Sequence, residues 1–164
     1  MNSAPAEFLR ARIAALRTWR RGGQQAVHKP LLLLYAFGRV QKGSERLLPF
    51  VEVDRDVKPL LEQFGAPRSA YHPEYPFWRL QNDGIWEVVS EAPLRSRKSN
   101  SDPPRSELLA KGARGGFRAE LFLALRDEQN LIDELSRAVL IATFPAEHHP
   151  SIKVAVGVHP ASKA

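Results

Sequence analysis

Apolar residues recur at three- and four-residue spacing over residues 7–20, where Phe8, Leu9, Ile13, Leu16 and Trp19 stand among Arg10, Arg17 and Arg20. That period predicts an amphipathic helix. Ser3 or Pro5 suits its start and Gly22-Gly23 its stop, with Arg20 and Arg21 in the last turn. A second helix is predicted from Pro30, whose missing N–H costs nothing at the first helical position. Its run Leu31-Leu32-Leu33-Leu34-Tyr35-Ala36-Phe37 is apolar nearly all round, which predicts a central place in the core. Residues 47–53 read as a short strand near an edge, because Pro49 interrupts them. Asp54 or Asp56 is expected to cap a third helix through Val57, Leu60, Leu61 and Phe64 that ends at Gly65.

Residues 77–89 hold two aromatic and β-branched runs on either side of Asn82-Asp83-Gly84, the pattern of a β-hairpin. Residues 95–116 are poor in apolar side chains, and Arg114-Gly115-Gly116-Phe117 then opens a helical region striped by Leu121, Phe122 and Leu125. A last helix over 128–143 turns Leu131, Ile132, Leu135, Val139 and Leu140 inward and stops at Phe144-Pro145. Beyond Glu147 little pattern remains apart from residues 152–158. The fold expected is α+β, mostly helical with a short strand and a β-hairpin, winged-helix-like in element order.

The stretch Tyr71-His72-Pro73-Glu74-Tyr75-Pro76-Phe77-Trp78-Arg79 stands apart, with four aromatic rings, a histidine and two X-Pro pairs in nine residues. The prolines fix φ and push His72 and Tyr75 away from the helical region, which predicts rigid, extended chain. Side chains of an extended segment alternate between faces, so some of Tyr71, His72, Tyr75 and Phe77 should line a surface concavity. A proline-rich loop capped by core aromatics satisfies the same pattern.

Charge sharpens the picture. The net charge of +6 is uneven: residues 7–29 hold six basic side chains against one acid, and residues 95–118 hold seven against two. Two basic stretches on an otherwise acidic chain suit a polyanion, although solvated faces also carry such charge. His28-Lys29 at the start of the second helix adds cations to free backbone N–H groups, an arrangement suited to phosphate.

Several chemistries find no support. The absence of cysteine excludes a disulfide framework, a thiolate nucleophile and Cys-ligated zinc. The five histidines (His28, His72, His148, His149, His159) form no His-Glu-x-x-His or His-Asn-His pattern, and Gly112-Ala113-Arg114-Gly115-Gly116 lacks the lysine of a P-loop. No cofactor, membrane or small-molecule substrate is expected. No apolar run approaches the roughly 20 residues of a membrane span, no signal-peptide pattern opens the chain, and the cytoplasm is the expected compartment. A metal-dependent nuclease using His148, His149 or His159, a winged-helix regulator of unmodified DNA and a protein-interaction module remain as alternatives.

His28-Lys29-Pro30 before the leucine run, the Tyr75-Pro76-Phe77-Trp78-Arg79-Leu80 block with its Asp83-Gly84-Ile85-Trp86 turn, and Arg114-Gly115-Gly116-Phe117 carry a resemblance. In this order, across residues 27–144, they resemble the sulfur-binding domain of McrA-like type IV restriction endonucleases. That resemblance implies a non-catalytic reader of duplex DNA whose backbone carries a phosphorothioate, joined in the parent protein to a C-terminal HNH nuclease domain. It implies that Tyr75 and Pro76 supply rings to the sulfur pocket. Pro73, Tyr71 and His72 share the role, because the chain holds a second X-Pro pair. It implies that His28 and Lys29 meet the modified phosphate and neighbouring base edges. Arg79, Arg95, Arg97, Lys98, Ser99, Arg114 and Gly115 fall among the DNA-facing residues. Residues 1–146 are expected to form the reader, with 147–164 as a tail or the start of a linker.

Overall fold

In the computed structural model, residues 3–15, 20–21, 24–25, 27–66, 69–94, 102–128 and 130–159 are described. Helix α1 (Ala4–Ala14) starts as expected: the Ser3 hydroxyl accepts from the Ala6 N–H at 3.2 Å, and Ala6, Leu9 and Ile13 face inward. It is shorter than its apolar period predicts. Arg20 and Arg21 are not helical but form strand β1 (Arg20–Arg21), paired antiparallel with β2 (Gln24–Gln25). Leu16, Arg17 and Trp19 lie outside the described residues.

Helix α2 (His28–Gln41) is the central rod, with every residue from Pro30 to Gly38 buried. It begins two residues before Pro30, which occupies its third position. The first intrahelical bond runs from the Leu31 N–H to the Val27 carbonyl at 2.9 Å, so no bond is lost at the proline.

Strand β3 (Leu48–Pro49) passes directly into α3 (Phe50–Phe64). The strand is therefore shorter than expected, and Asp54 and Asp56 are not caps. Asp54 is buried on the inner face of α3 and binds Arg105, while Asp56 accepts from the Tyr35 hydroxyl at 2.6 Å.

The proline-rich stretch also departs from expectation. It is not extended throughout: residues 74–79 form helix α4 (Glu74–Arg79), continued by a 3₁₀ turn over Leu80–Asp83. Pro76 repeats the device of Pro30, standing third in its helix where no N–H is needed, and the Phe77 N–H reaches the Pro73 carbonyl at 3.2 Å. Burial of Phe77 offsets the strain of helical backbone before Pro76. Its ring meets Phe50 at 4.8 Å and Trp86 at 6.2 Å, each edge-on.

The expected hairpin is absent as well. Gly84 (φ 77°) ends the 3₁₀ turn, and only Trp86–Val89 is a strand, β4. After α5 (Arg105–Ala110), its partner arrives as β5 (Arg114–Phe117), read above as the start of a helical region. The sheet is antiparallel in the order β3-β5-β4, with Trp86 opposite Phe117 and Leu48 opposite Gly115. Its Phe117 stacks on Phe37 of α2 at 5.5 Å.

Three helices close the core: α6 (Ala119–Asp127), α7 (Leu131–Thr143) and α8 (His149–Val156). Helix α8 falls in the segment read as tail or linker. Ile152, Val156 and Val158 are buried, so the packed unit runs past residue 146. Gly38 of α2 makes this contact possible, since a Cβ there would stand 2.4 Å from the Val156 carbonyl oxygen. The fold is α+β and mostly helical, as the sequence pattern implies.

Candidate nucleic-acid interface

Two elements present the candidate residues, and one ion pair ties them together. Helix α2 begins with His28 and Lys29 in its first turn, where the orphan N–H groups and the positive end of the helix dipole favour an anion. No acidic residue stands in that first turn and no side chain caps it. The carboxylate that reaches it comes from the other element: Lys29 Nζ donates to Asp83 Oδ2 at 2.7 Å. Asp83 ends the 3₁₀ turn that continues α4, and α4 packs against α2. No more than roughly 14 Å of helical rise separates Tyr75 from Asp83.

On α4 the aromatic residues sort by burial. Phe77 is fully buried, and Pro73 and Pro76 are buried beside it. Tyr75 is 38% exposed, with Tyr71 and His72 partly exposed near it. Trp78 keeps part of its surface in solvent as well, so the exposed Tyr75 ring has partly exposed neighbours rather than standing alone. That ring is held on two sides. His72 stacks on Tyr75 with centroids 4.5 Å apart and planes 14° from parallel, and the Arg79 guanidinium lies 4.7 Å from the ring centroid. Each end of this column meets a carboxylate. His72 Nδ1 lies 2.9 Å from Glu74 Oε2, and Arg79 Nε donates to Asp102 Oδ2 at 2.6 Å. Glu74 is buried, and its Oε1 has no hydrogen-bond partner among the described residues.

The remaining candidates divide. Arg114 opens β5 half-buried, 4.0 Å from Glu45 Oε2. Gly115 is interior: a Cβ on it would lie 2.7 Å from the Phe77 ring and 2.9 Å from Trp86 Nε1. Gly116 is tighter, with a Cβ position 1.9 Å from the Arg46 carbonyl oxygen. The glycines of this motif are thus demanded by packing of the central strand. Arg95, Arg97, Lys98 and Ser99 lie outside the described residues. Sequence reasoning missed Asp83, Asp102 and Glu74, the carboxylates that organise the site. Asp83 was hidden inside what reads as a hairpin turn, Asp102 is reached by Arg79 from 23 residues away, and Glu74 meets its near neighbour His72 only through the fold of α4.

Comparison with known proteins decides the family. The description "ScoMcrA-like, DNA sulfur-binding domain" matches residues 6–161. The chain belongs to this family. Solved sulfur-binding domains share its fold. The sulfur-binding domain of ScoMcrA complexed with phosphorothioated DNA is 24% identical with a TM-score of 0.79, over 97% of this chain and 98% of that chain. The sulfur-binding and SRA domains of ScoMcrA, also complexed with phosphorothioated DNA, give 25% identity and a TM-score of 0.79 over 96% of this chain. This sulfur-binding domain spans 47% of that two-domain chain, about half its length. The sulfur-binding domain of SprMcrA complexed with phosphorothioated DNA is 22% identical, with a TM-score of 0.76 over 95% of each chain. No curated protein matches. The family match covers α8 as well, consistent with its place in the core.

Proposed function

We propose that this chain is a non-catalytic reader of phosphorothioated duplex DNA, with Tyr75 at the centre of the sulfur contact and His28, Lys29 and Arg79 toward phosphate. The observation that supports it best is the cluster on α4: the exposed Tyr75 ring, stacked on His72 and 4.7 Å from the Arg79 guanidinium, in a segment joined to the basic start of α2 by the Lys29–Asp83 pair. Sulfur is larger and softer than oxygen and a weaker hydrogen-bond acceptor, so contact with an aromatic ring and pyrrolidine carbons costs it little hydration. A phosphate oxygen placed there loses water without gaining a donor, a penalty of about 1–3 kcal/mol. About ten- to hundredfold discrimination follows. Cations add salt-sensitive affinity that does not distinguish sulfur from oxygen, and side chains reaching base edges add sequence preference. In this reading the module targets a type IV restriction endonuclease whose HNH cutting domain lies elsewhere in the parent protein.

The test is a pair of matched duplexes, one with a single phosphorothioate, titrated by fluorescence anisotropy at fixed salt. The modified duplex should bind about ten- to hundredfold more tightly. Tyr75→Ala should bring that ratio close to one while leaving weak binding. Lys29→Ala should weaken both complexes by about five- to tenfold and flatten the salt dependence by about one unit of slope. Equal binding of the two duplexes by the wild type would return the chain to the class of unmodified-DNA binders.

A further inference from the structure

Among the described residues, three of the cations expected to meet DNA lie against the domain's own acids. Lys29 holds Asp83 at 2.7 Å, Arg79 holds Asp102 at 2.6 Å, and Arg114 lies 4.0 Å from Glu45. The first two pairs are well placed to matter. Lys29 and Asp83 side chains are 25% and 16% exposed, so salt screens that pair less than an open surface pair, whereas Arg79 is half-exposed over the more buried Asp102. Asp83 also supplies, from another element, the anion that the first turn of α2 lacks in its own sequence.

We propose that Asp83 and Asp102 are internal stand-ins for DNA phosphate, closing Lys29 and Arg79 onto the domain and holding down its sulfur-blind affinity for DNA. This rests on the DNA-reading function proposed above. A docking phosphate must displace a carboxylate to reach either cation, so each phosphate contact yields only the difference between two ion pairs. That difference is the same for modified and unmodified duplexes. The carboxylates therefore set absolute affinity, while the apolar contact at Tyr75 sets the ratio. The division is useful because unmodified sites outnumber modified ones: a reader with fully open cations would stay bound to background DNA.

Asp83→Asn and Asp102→Asn keep side-chain size and an acceptor oxygen while removing the charge. Titrating both variants against the matched duplexes should show unmodified DNA bound about three- to tenfold more tightly, with the modified duplex gaining by a similar factor. The ratio stays at its wild-type value, and the salt slope steepens by up to about one per variant. Urea midpoints of both variants check folding, and Asp102→Asn, which lies in a segment outside helix and strand, serves if Asp83→Asn unfolds. Unchanged or weaker binding of unmodified DNA by the folded variants overturns the proposal, since the carboxylates would then only position their cations. The function proposed above fails by a different result, equal wild-type binding of both duplexes, which leaves the gain in the variants readable on its own.

Discussion

Gly115 and Gly116 show how packing alone can demand a residue of the motif. The space that a Cβ would need at Gly115 is filled by the Phe77 ring and Trp86 Nε1, both part of the support beneath α4. Gly115→Ala should therefore lower stability by about 1–3 kcal/mol by overpacking, read as a lower urea midpoint. Gly116→Ala should cost more, because its obstacle is backbone, the Arg46 carbonyl, rather than a ring able to shift. Sequence chemistry was informative for residues whose role follows from type and position together. Lys29 stands out in the sequence because a lysine beside a helix-starting proline suits phosphate, and the structure places it in the first turn of α2. Gly115 was misplaced because a glycine's neighbours come from distant segments that composition does not reveal.

Among elements, the long periodic helices were legible and the short ones were not. Phe77 and Pro76 explain why. A proline can sit in the first turn of a helix without loss of a hydrogen bond, so the two X-Pro pairs that argue for extended chain do not forbid α4. What tips the balance is the buried Phe77, a tertiary contact. The Asn82-Asp83-Gly84 turn likewise gives a correct local bend with Gly84 in the left-handed region, but the partner of β4 lies beyond α5. Helix pairing offers a direct test. Arg10 of α1 donates to both oxygens of Glu134 on α7, at 2.7 Å and 3.0 Å, and that bond holds the Glu134 carboxyl below its ordinary value of 4.5. A carboxylate depressed in the folded state stabilises above its unfolded pKa, and the contribution fades as pH falls through the folded value. Glu134→Gln should thus lower the urea midpoint near about pH 7, and the gap to wild type should close toward about pH 3.

For the whole molecule, charge and packing tell separate stories. The acidic segments between the two basic stretches fold back to meet them, at Asp83, Asp54 and Glu45, so the net +6 understates how much of the basic charge is internally answered. Packing extends further along the chain than the apolar pattern indicates. Helix α8 is short, but Ile152 and Val156 lie one turn apart on the face that meets α2, and Val158 follows them inward. Ending the chain at residue 146 should expose the buried flank of α2 at Gly38, with a loss of about 3 kcal/mol or more from three apolar side chains. A fall in midpoint and weaker cooperativity on urea titration would report it.

Gln41, the last residue of α2, clasps the backbone of His159 through two hydrogen bonds of 3.0 Å, from its Nε2 to the His159 carbonyl and from the His159 N–H to its Oε1. One rigid rod thus carries Lys29 at its front and the outgoing chain at its rear, about 20 Å apart. A fluorophore grafted after His159 would start from an anchor that α2 holds at that distance from Lys29, making the helix a built-in measuring stick.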